Sequence, residues 1–285
     1  MSGQRRALVL GGGGNLGAVQ VGFIRRIKEL EIPIDFVVGT SVGALNAAHY
    51  AFHETDEHDC LAAIWTGLRG QRLFPRSPWR VAANLVRHRM SLFDDSFVSE
   101  LIREHLDQDD FSAARVPLYM TATNLRRGDR TLLSSGSIVT AALASSAVPG
   151  LFPPVLIDGE LHVDGAVVDS LDLAAAIELG ASEVIAIDPS PGLGRSDPTH
   201  VGEVFLRSIE ILTERRAQCA IAEAQELLRV AVIRPGMTAE DQSGFEQVDE
   251  MIEQSYSMAV AVFEQCWDGE TVIPGTYQLA VPTGV

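Results

Sequence analysis

Two strand-to-helix turns near the N-terminus restrict the fold of this chain more than any other feature. Ala7–Leu10 is an apolar run that empties into Gly11-Gly12-Gly13-Gly14, and a helical pattern begins at Gly17. A second apolar run, over residues 35–39, ends in Gly39-Thr40-Ser41-Val42-Gly43 and gives way to a helical pattern over 42–52. Parallel strands need a crossover long enough to carry the chain back, usually a helix, so the repetition predicts the start of a parallel sheet. Further strand patterns at 117–124, 183–188 and 229–233 are interleaved with helical ones near 95–106, 137–146, 171–180, 201–229 and 245–267. The stretch from 53 to about 95 reads as less regular. A short strand at 130–134 and a hairpin in "VLIDGELHVDG", turning at Asp158-Gly159, break the alternation. The expected class is α/β, with a mostly parallel central sheet and helices on both faces.

Size and composition fit one domain spanning 1–285. The chain has 285 residues, 46% hydrophobic and 21% charged, which supports a substantial core. No apolar run approaches the roughly 18 residues needed to cross a bilayer, and Met-Ser-Gly-Gln-Arg-Arg leads directly into a strand, so a cytoplasmic location is expected. Cys60, Cys219 and Cys266 are widely spaced and read as reduced thiols rather than a disulfide framework. A net charge of −16 argues against nucleic acid as a partner, since phosphate backbones must be met by Lys and Arg. The charge is uneven. Between residues 69 and 90, Arg69, Arg72, Arg76, Arg80, Arg87 and Arg89 alternate with Leu73, Phe74, Trp79, Leu85 and Met90 and no acid intervenes. That segment is a candidate for peripheral contact with lipid headgroups near a membrane surface.

Gly12, Gly14 and Gly17 satisfy the G-x-G-x-x-G spacing of a dinucleotide-binding turn. Such a fold places an acid at the end of its second strand to hold the ribose, whereas here Asp35 stands at the start of the second strand and its end carries Thr40 and Ser41. The same glycines before a helix can instead present backbone N–H groups and a positive helix end to an oxyanion. Gly39-Thr40-Ser41-Val42-Gly43 is a G-x-S-x-G sequence at a strand-to-helix turn, the setting of a nucleophile elbow, and makes Ser41 the leading catalytic candidate. A serine hydroxyl needs a base. Asp164, in "HVDGAVVDS", stands after a short strand beside the small residues Gly165 and Ala166, and His162 would share its face of that strand.

With these elements in order, the chain resembles the patatin-like phospholipases. The likeness rests on Gly12-Gly13-Gly14-Asn15-Leu16-Gly17, on Gly39 to Gly43, on "AALASSAVPGLFPPV" at 141–155 and on Asp164-Gly165-Ala166, and covers roughly residues 5–190. It implies a three-layer α/β/α patatin-like fold, with the helices and strand of 200–270 packed on the catalytic region. It also implies a lipid acyl hydrolase acting on lipid or lipid-like esters, with Ser41 as nucleophile and Asp164 as base, and neither metal nor cofactor. The backbone N–H groups of Gly12, Gly13 and Gly14, with that of Val42, would form the oxyanion hole, and Gly17, Gly39, Gly43, Gly165 and Ala166 would support the motifs. Two departures stand out. Leu16 occupies a place where the family usually has Arg or Lys, and Asp169-Ser170-Leu171-Asp172 follows the aspartate motif where Asn and Pro are common.

Other constellations compete. Ser41, Asp188 and His200 have the chain order of an α/β-hydrolase triad. "HETDEHD" at 53–59 gathers His and carboxylates, but without the i, i+4 His spacing of a metal helix it reads as a solvated connection. An esterase for soluble short-chain esters, or a catalytically weak lipid-binding relative, would carry the same motifs.

Overall fold

The strand order follows from the crossovers that the sequence encodes. In the computed structural model, which describes residues 4–53, 60–68, 95–106, 108–190, 198–199, 201–236 and 247–279, the first strand is β1 (Arg6–Leu10). It leads through a glycine turn to α1 (Gly17–Glu29), β2 (Phe36–Thr40), α2 (Val42–Phe52), α3 (Cys60–Gly67) and α4 (Ser96–His105). Next come β3 (Leu118–Asn124), β4 (Asp129–Leu133), α5 (Ile138–Ser145), β5 (Val155–Ile157), β6 (Glu160–Asp164) and α6 (Leu173–Glu178). The chain continues with β7 (Glu183–Ile187), α7 (Val201–Leu227), β8 (Arg229–Arg234), α8 (Val248–Cys266) and β9 (Gly275–Gln278).

These strands form one sheet in the order β5-β6-β3-β2-β1-β7-β8-β9, with β4 also paired to β3. From β3 to β9 all neighbours are parallel, whereas β4 and β6 run antiparallel to β3 and β5 antiparallel to β6. The mostly parallel α/β architecture is therefore as expected. Strands covered on both faces must be apolar throughout, and every residue of β1, β2 and β7 is buried. Leu8, Leu10, Val37, Met120 and Ile185 share a core with α1, α2, α5 and α8. The alternate residues Ala7, Val9, Phe36, Val38 and Val184 meet α6 and α7 on the other face. This period-two division of each strand between two helical layers is the three-layer arrangement.

A buried ion pair joins two neighbouring strands of the sheet. Arg6, 3% exposed, is neutralised by Glu183 at 2.6 Å and lies over the Trp267 ring. Gly22 lets α1 and α8 cross closely, because a Cβ there would overlap Ser255 and the Tyr256 nitrogen.

Three local features differ from the sequence reading. Helix α3 lies in the stretch read as irregular and is anchored by buried Leu61 and Trp65. Strand β9 has no alternating apolar signal, as expected of a four-residue strand at the sheet edge. Helix α6 is shorter than its pattern because the Asp172 carboxylate caps it by accepting the Ala175 N–H at 2.9 Å, and Gly180, at φ 80°, follows its end. The hairpin turns at Asp158 (φ 51°) and Gly159 (φ 80°), as a tight Asp-Gly turn requires. No helix among the described residues is long and apolar enough to cross a membrane. The arginine-rich segment, His200 and residues 54–59 of "HETDEHD" lie outside the described residues.

Candidate active site

The register of β3 explains how two residues far apart in sequence meet. One edge of β3 pairs with β4 from Met120 to Asn124. The other edge is divided: β2 occupies it up to the pair Thr40–Thr121, and β6 takes over at the next position, with Asp164 opposite Ala122. The residue after Thr40 and the last residue of β6 therefore arrive at the same point from opposite directions. There the Ser41 hydroxyl donates to Asp164 Oδ2 at 2.7 Å.

Ser41 is held in an unusual backbone conformation. Its φ of 55° and ψ of −126° fall where side chains are strained, as in a nucleophile elbow. Its carbonyl accepts the Ala44 N–H at 2.9 Å to open α2, and its own N–H donates to Ser145 Oγ at 2.9 Å. The flanking glycines are required by space. A Cβ on Gly39 would come within 2.6 Å of Ala44 Cα, and one on Gly43 would overlap the carbonyl oxygens of Leu10 and Gly11. The elbow is thus pressed against the end of β1.

Asp164 is 3% exposed, and each carboxylate oxygen has a donor: Ser41 on Oδ2 and the Ala166 N–H on Oδ1 at 2.8 Å. Burial pushes the carboxyl up to about 6, and these hydrogen bonds pull it back only in part. The backbone is pinned by Asp164 N–H to Ala147 O at 2.9 Å and by the Thr123 hydroxyl to Asp164 O at 2.8 Å. Gly165 follows because a Cβ there would overlap the Thr121 carbonyl. His162 is buried on the same face as Asp164, but its ring serves elsewhere: Nδ1 donates to Glu160 O at 3.0 Å, leaving Nε2 to accept from the Thr131 hydroxyl at 3.1 Å.

The glycine turn lies beside this pair; a Cβ on Gly12 would stand 3.3 Å from Ser41 Cβ. Of its expected oxyanion donors, Gly12 donates its N–H to Ser170 O at 2.8 Å, a contact that holds the loop. The amides of Gly13, Gly14 and Val42 make no backbone hydrogen bond among the described residues. Gly14 adopts φ 59°, and the chain enters α1 through a single 3-10 turn, Gly14–Leu16. A buried polar network braces the turn from behind. Gln20 Nε2 donates to Gly11 O at 2.8 Å, Asn46 Nδ2 donates to Gly17 O at 2.9 Å and to Gln20 Oε1 at 2.8 Å, and the Trp65 indole donates to Asn46 Oδ1 at 3.0 Å. No motif spacing marks Gln20, Asn46 or Trp65, and Ser145 lies within the stretch 141–155 with nothing in it that singles out this residue.

Both departures from the family pattern have structural uses. Leu16 is fully buried in the core, so that position fills space instead of presenting charge. In the run 169–172, Ser170 holds Gly12, while Asp172 caps α6 and accepts from Arg130 and the Thr121 hydroxyl, each at 2.7 Å. Asp169 is buried near Asp172, and burial first, then that neighbouring charge, pushes its carboxyl up to about 7. Asp188 is engaged by Arg234 at 3.0 Å, itself paired with Glu214, and accepts the Ser190 N–H at 3.1 Å. It has an ionic partner of its own.

Comparison with known proteins shows the family. The model of the patatin-like phospholipase family matches residues 8–177, and the chain belongs to that family. Lysophospholipase nte1 of Aspergillus terreus is 32% identical over 190 residues, covering 66% of this chain and 12% of that protein. Lysophospholipase NTE1 of Yarrowia lipolytica is likewise 32% identical over 190 residues, covering 66% of this chain and 13% of that protein. The match therefore spans only a small part of these relatives' length. Among solved structures, VipD from Legionella pneumophila aligns with a TM-score of 0.43 at 14% identity, over 92% of this chain and 67% of that one.

Proposed function

We propose that this chain hydrolyses carboxylic ester bonds of lipids through Ser41 and Asp164. The observation that carries the reading is the 2.7 Å hydrogen bond from the Ser41 hydroxyl, on a strained elbow, to a buried carboxylate. Ser41 Oγ attacks the ester carbonyl carbon while its proton passes to Asp164 Oδ2. The oxyanion so formed is held by the backbone amides of Gly13, Gly14 and Val42, and no metal or cofactor enters. Collapse breaks the ester C–O bond, and the departing alcohol takes the proton from Asp164. Water then attacks the acyl-enzyme, Asp164 again accepts a proton and returns it to Ser41, and the fatty acid leaves. A base of pKa near 6 suits both directions of transfer, being ionised at neutral pH yet basic enough to accept a proton.

The lysophospholipase relatives and the family favour a lipid ester over a soluble one. The test compares release of fatty acid from lysophosphatidylcholine, below and above its micelle concentration, with hydrolysis of a soluble short-chain ester, in the parent chain and in Ser41→Ala. Faster turnover on the aggregated lipid, lost in Ser41→Ala, supports the proposal. Equal rates on the monomeric ester with no gain at the interface would make the chain a soluble esterase, and ligand binding without turnover a binding protein.

A further inference from the structure

The sheet ladder is interrupted at the rung that carries the nucleophile. In the parallel pair β2–β3, Val37 N–H donates to Pro117 O at 2.9 Å. Stepping four residues, two rungs, along both strands of the observed register, Val37–Leu118 through Thr40–Thr121, brings Ser41 N–H opposite Thr121 O. That direct rung is not made. The Ser145 hydroxyl stands in it, accepting from Ser41 N–H at 2.9 Å and donating to Thr121 O at 2.7 Å. Ser145 is fully buried at the end of α5, so its hydroxyl has both partners fixed inside the protein.

The inserted hydroxyl sets the position of the elbow. A direct rung would draw the Ser41 amide onto β3, whereas a hydroxyl between the two holds Ser41 one atom's width off the strand. At the next position on the same edge stands Asp164, opposite Ala122, so this offset determines where Ser41 Oγ meets the carboxylate. The backbone of Ser41 is also strained, and strained conformations persist only when the surroundings over-determine them. Ser145 supplies one such constraint from outside the elbow, and Gly39 and Gly43 supply others.

From these contacts we propose that Ser145 is a positioning residue for ester hydrolysis, a hydroxyl wedge in the last β2–β3 rung that holds Ser41 Oγ within reach of Asp164. The inference rests on the Ser41–Asp164 reading. It is tested in the full chain with Ser145→Ala, Ser145→Thr and, because it preserves bulk where Ala does not fold, Ser145→Cys. For Ser145→Ala or Ser145→Cys, kcat on a soluble ester should fall at least tenfold with KM within twofold. The low-pH limb of the rate profile should move to higher pH, since the Ser41 hydrogen bond that lowers the Asp164 pKa is weakened. Ser145→Thr, which keeps the hydroxyl, should stay within threefold of the parent. A Ser145→Ala or Ser145→Cys protein with kcat within twofold of the parent overturns the assignment, as does a folded Ser145→Thr protein as impaired as Ser145→Ala. Loss of activity without movement of the pH limb points to a structural role alone and equally overturns it. If instead the parent is not labelled at Ser41 by a fluorophosphonate, the dyad reading has failed first.

Discussion

Exchanging Asp164 for Asn separates what the carboxylate does for chemistry from what it costs the fold. The Asn side chain keeps both contacts, accepting the Ala166 N–H and donating to Ser41 Oγ, so only a charge is removed. That charge is buried, and the folded protein holds the Asp164 proton up to about pH 6, against an ordinary value of 3.8. Between those pH values the native state keeps a proton that the unfolded chain has released, so stability falls as pH rises through the window. At about 1.36 kcal/mol per pH unit, the gap from 3.8 to about 6 lowers stability by about 3 kcal/mol once the carboxylate is fully ionised. Asparagine carries no such penalty. Urea unfolding of parent and Asp164→Asn at pH 4, 5, 6, 7 and 8 should show the variant gaining relative stability by about 2.4 kcal/mol across the series, with the gain complete by pH 8. Its hydrolytic rate should drop roughly a hundred- to ten-thousand-fold. A stability difference that is flat with pH, or that grows in the parent's favour above pH 6, would refute the argument that Asp164 is desolvated in the folded state.

With Asp164 as the base of the proposed mechanism, kcat/KM on a soluble ester should rise about tenfold per pH unit below about 6 and level off above it, and a profile still flat at pH 4.5 would exclude Asp164 from that role. Gly165→Ala should lower stability by about 1–3 kcal/mol and depress activity, because its Cβ meets the Thr121 carbonyl where β2 and β6 converge; an unchanged melting temperature would show that the strand end relaxes freely. Glu183→Gln leaves the Arg6 guanidinium buried with no charge partner at 2.6 Å and should cost about 3–5 kcal/mol in a urea titration, whereas a loss below 1 kcal/mol would mean that water or Trp267 suffices.

Much of this architecture was legible because it depends on short-range pattern. Apolar runs ending in glycine placed β1 and β2, and Asp158-Gly159 placed the hairpin within a residue or two. Ser41 was conspicuous because the elbow demands Gly39 and Gly43 for space, and spatial demands leave residue types behind. Asp164 stands out by its small neighbours, yet the reason it meets Ser41, a shared edge of β3, is a property of strand register that no local pattern encodes. Glycines between a strand and a helix mark the turn, but the bond from Gly12 N–H to Ser170 O leaves no local signature, since only the tertiary fold brings the two together. Gln20, Asn46 and Ser145 act through long-range hydrogen bonds, and buried polar residues of that kind have no periodic signature. Strand β9 escaped notice because edge pairing uses backbone groups and asks little of side chains.

The proposed hydrolysis requires an activated hydroxyl at Ser41, and mass spectrometry after treatment with a fluorophosphonate measures that directly. The geometry predicts one phosphonyl adduct per chain on the peptide containing Ser41, absent from Ser41→Ala and much slower to form in Asp164→Asn. An unlabelled parent chain, or ester hydrolysis that survives intact in Ser41→Ala, would contradict it.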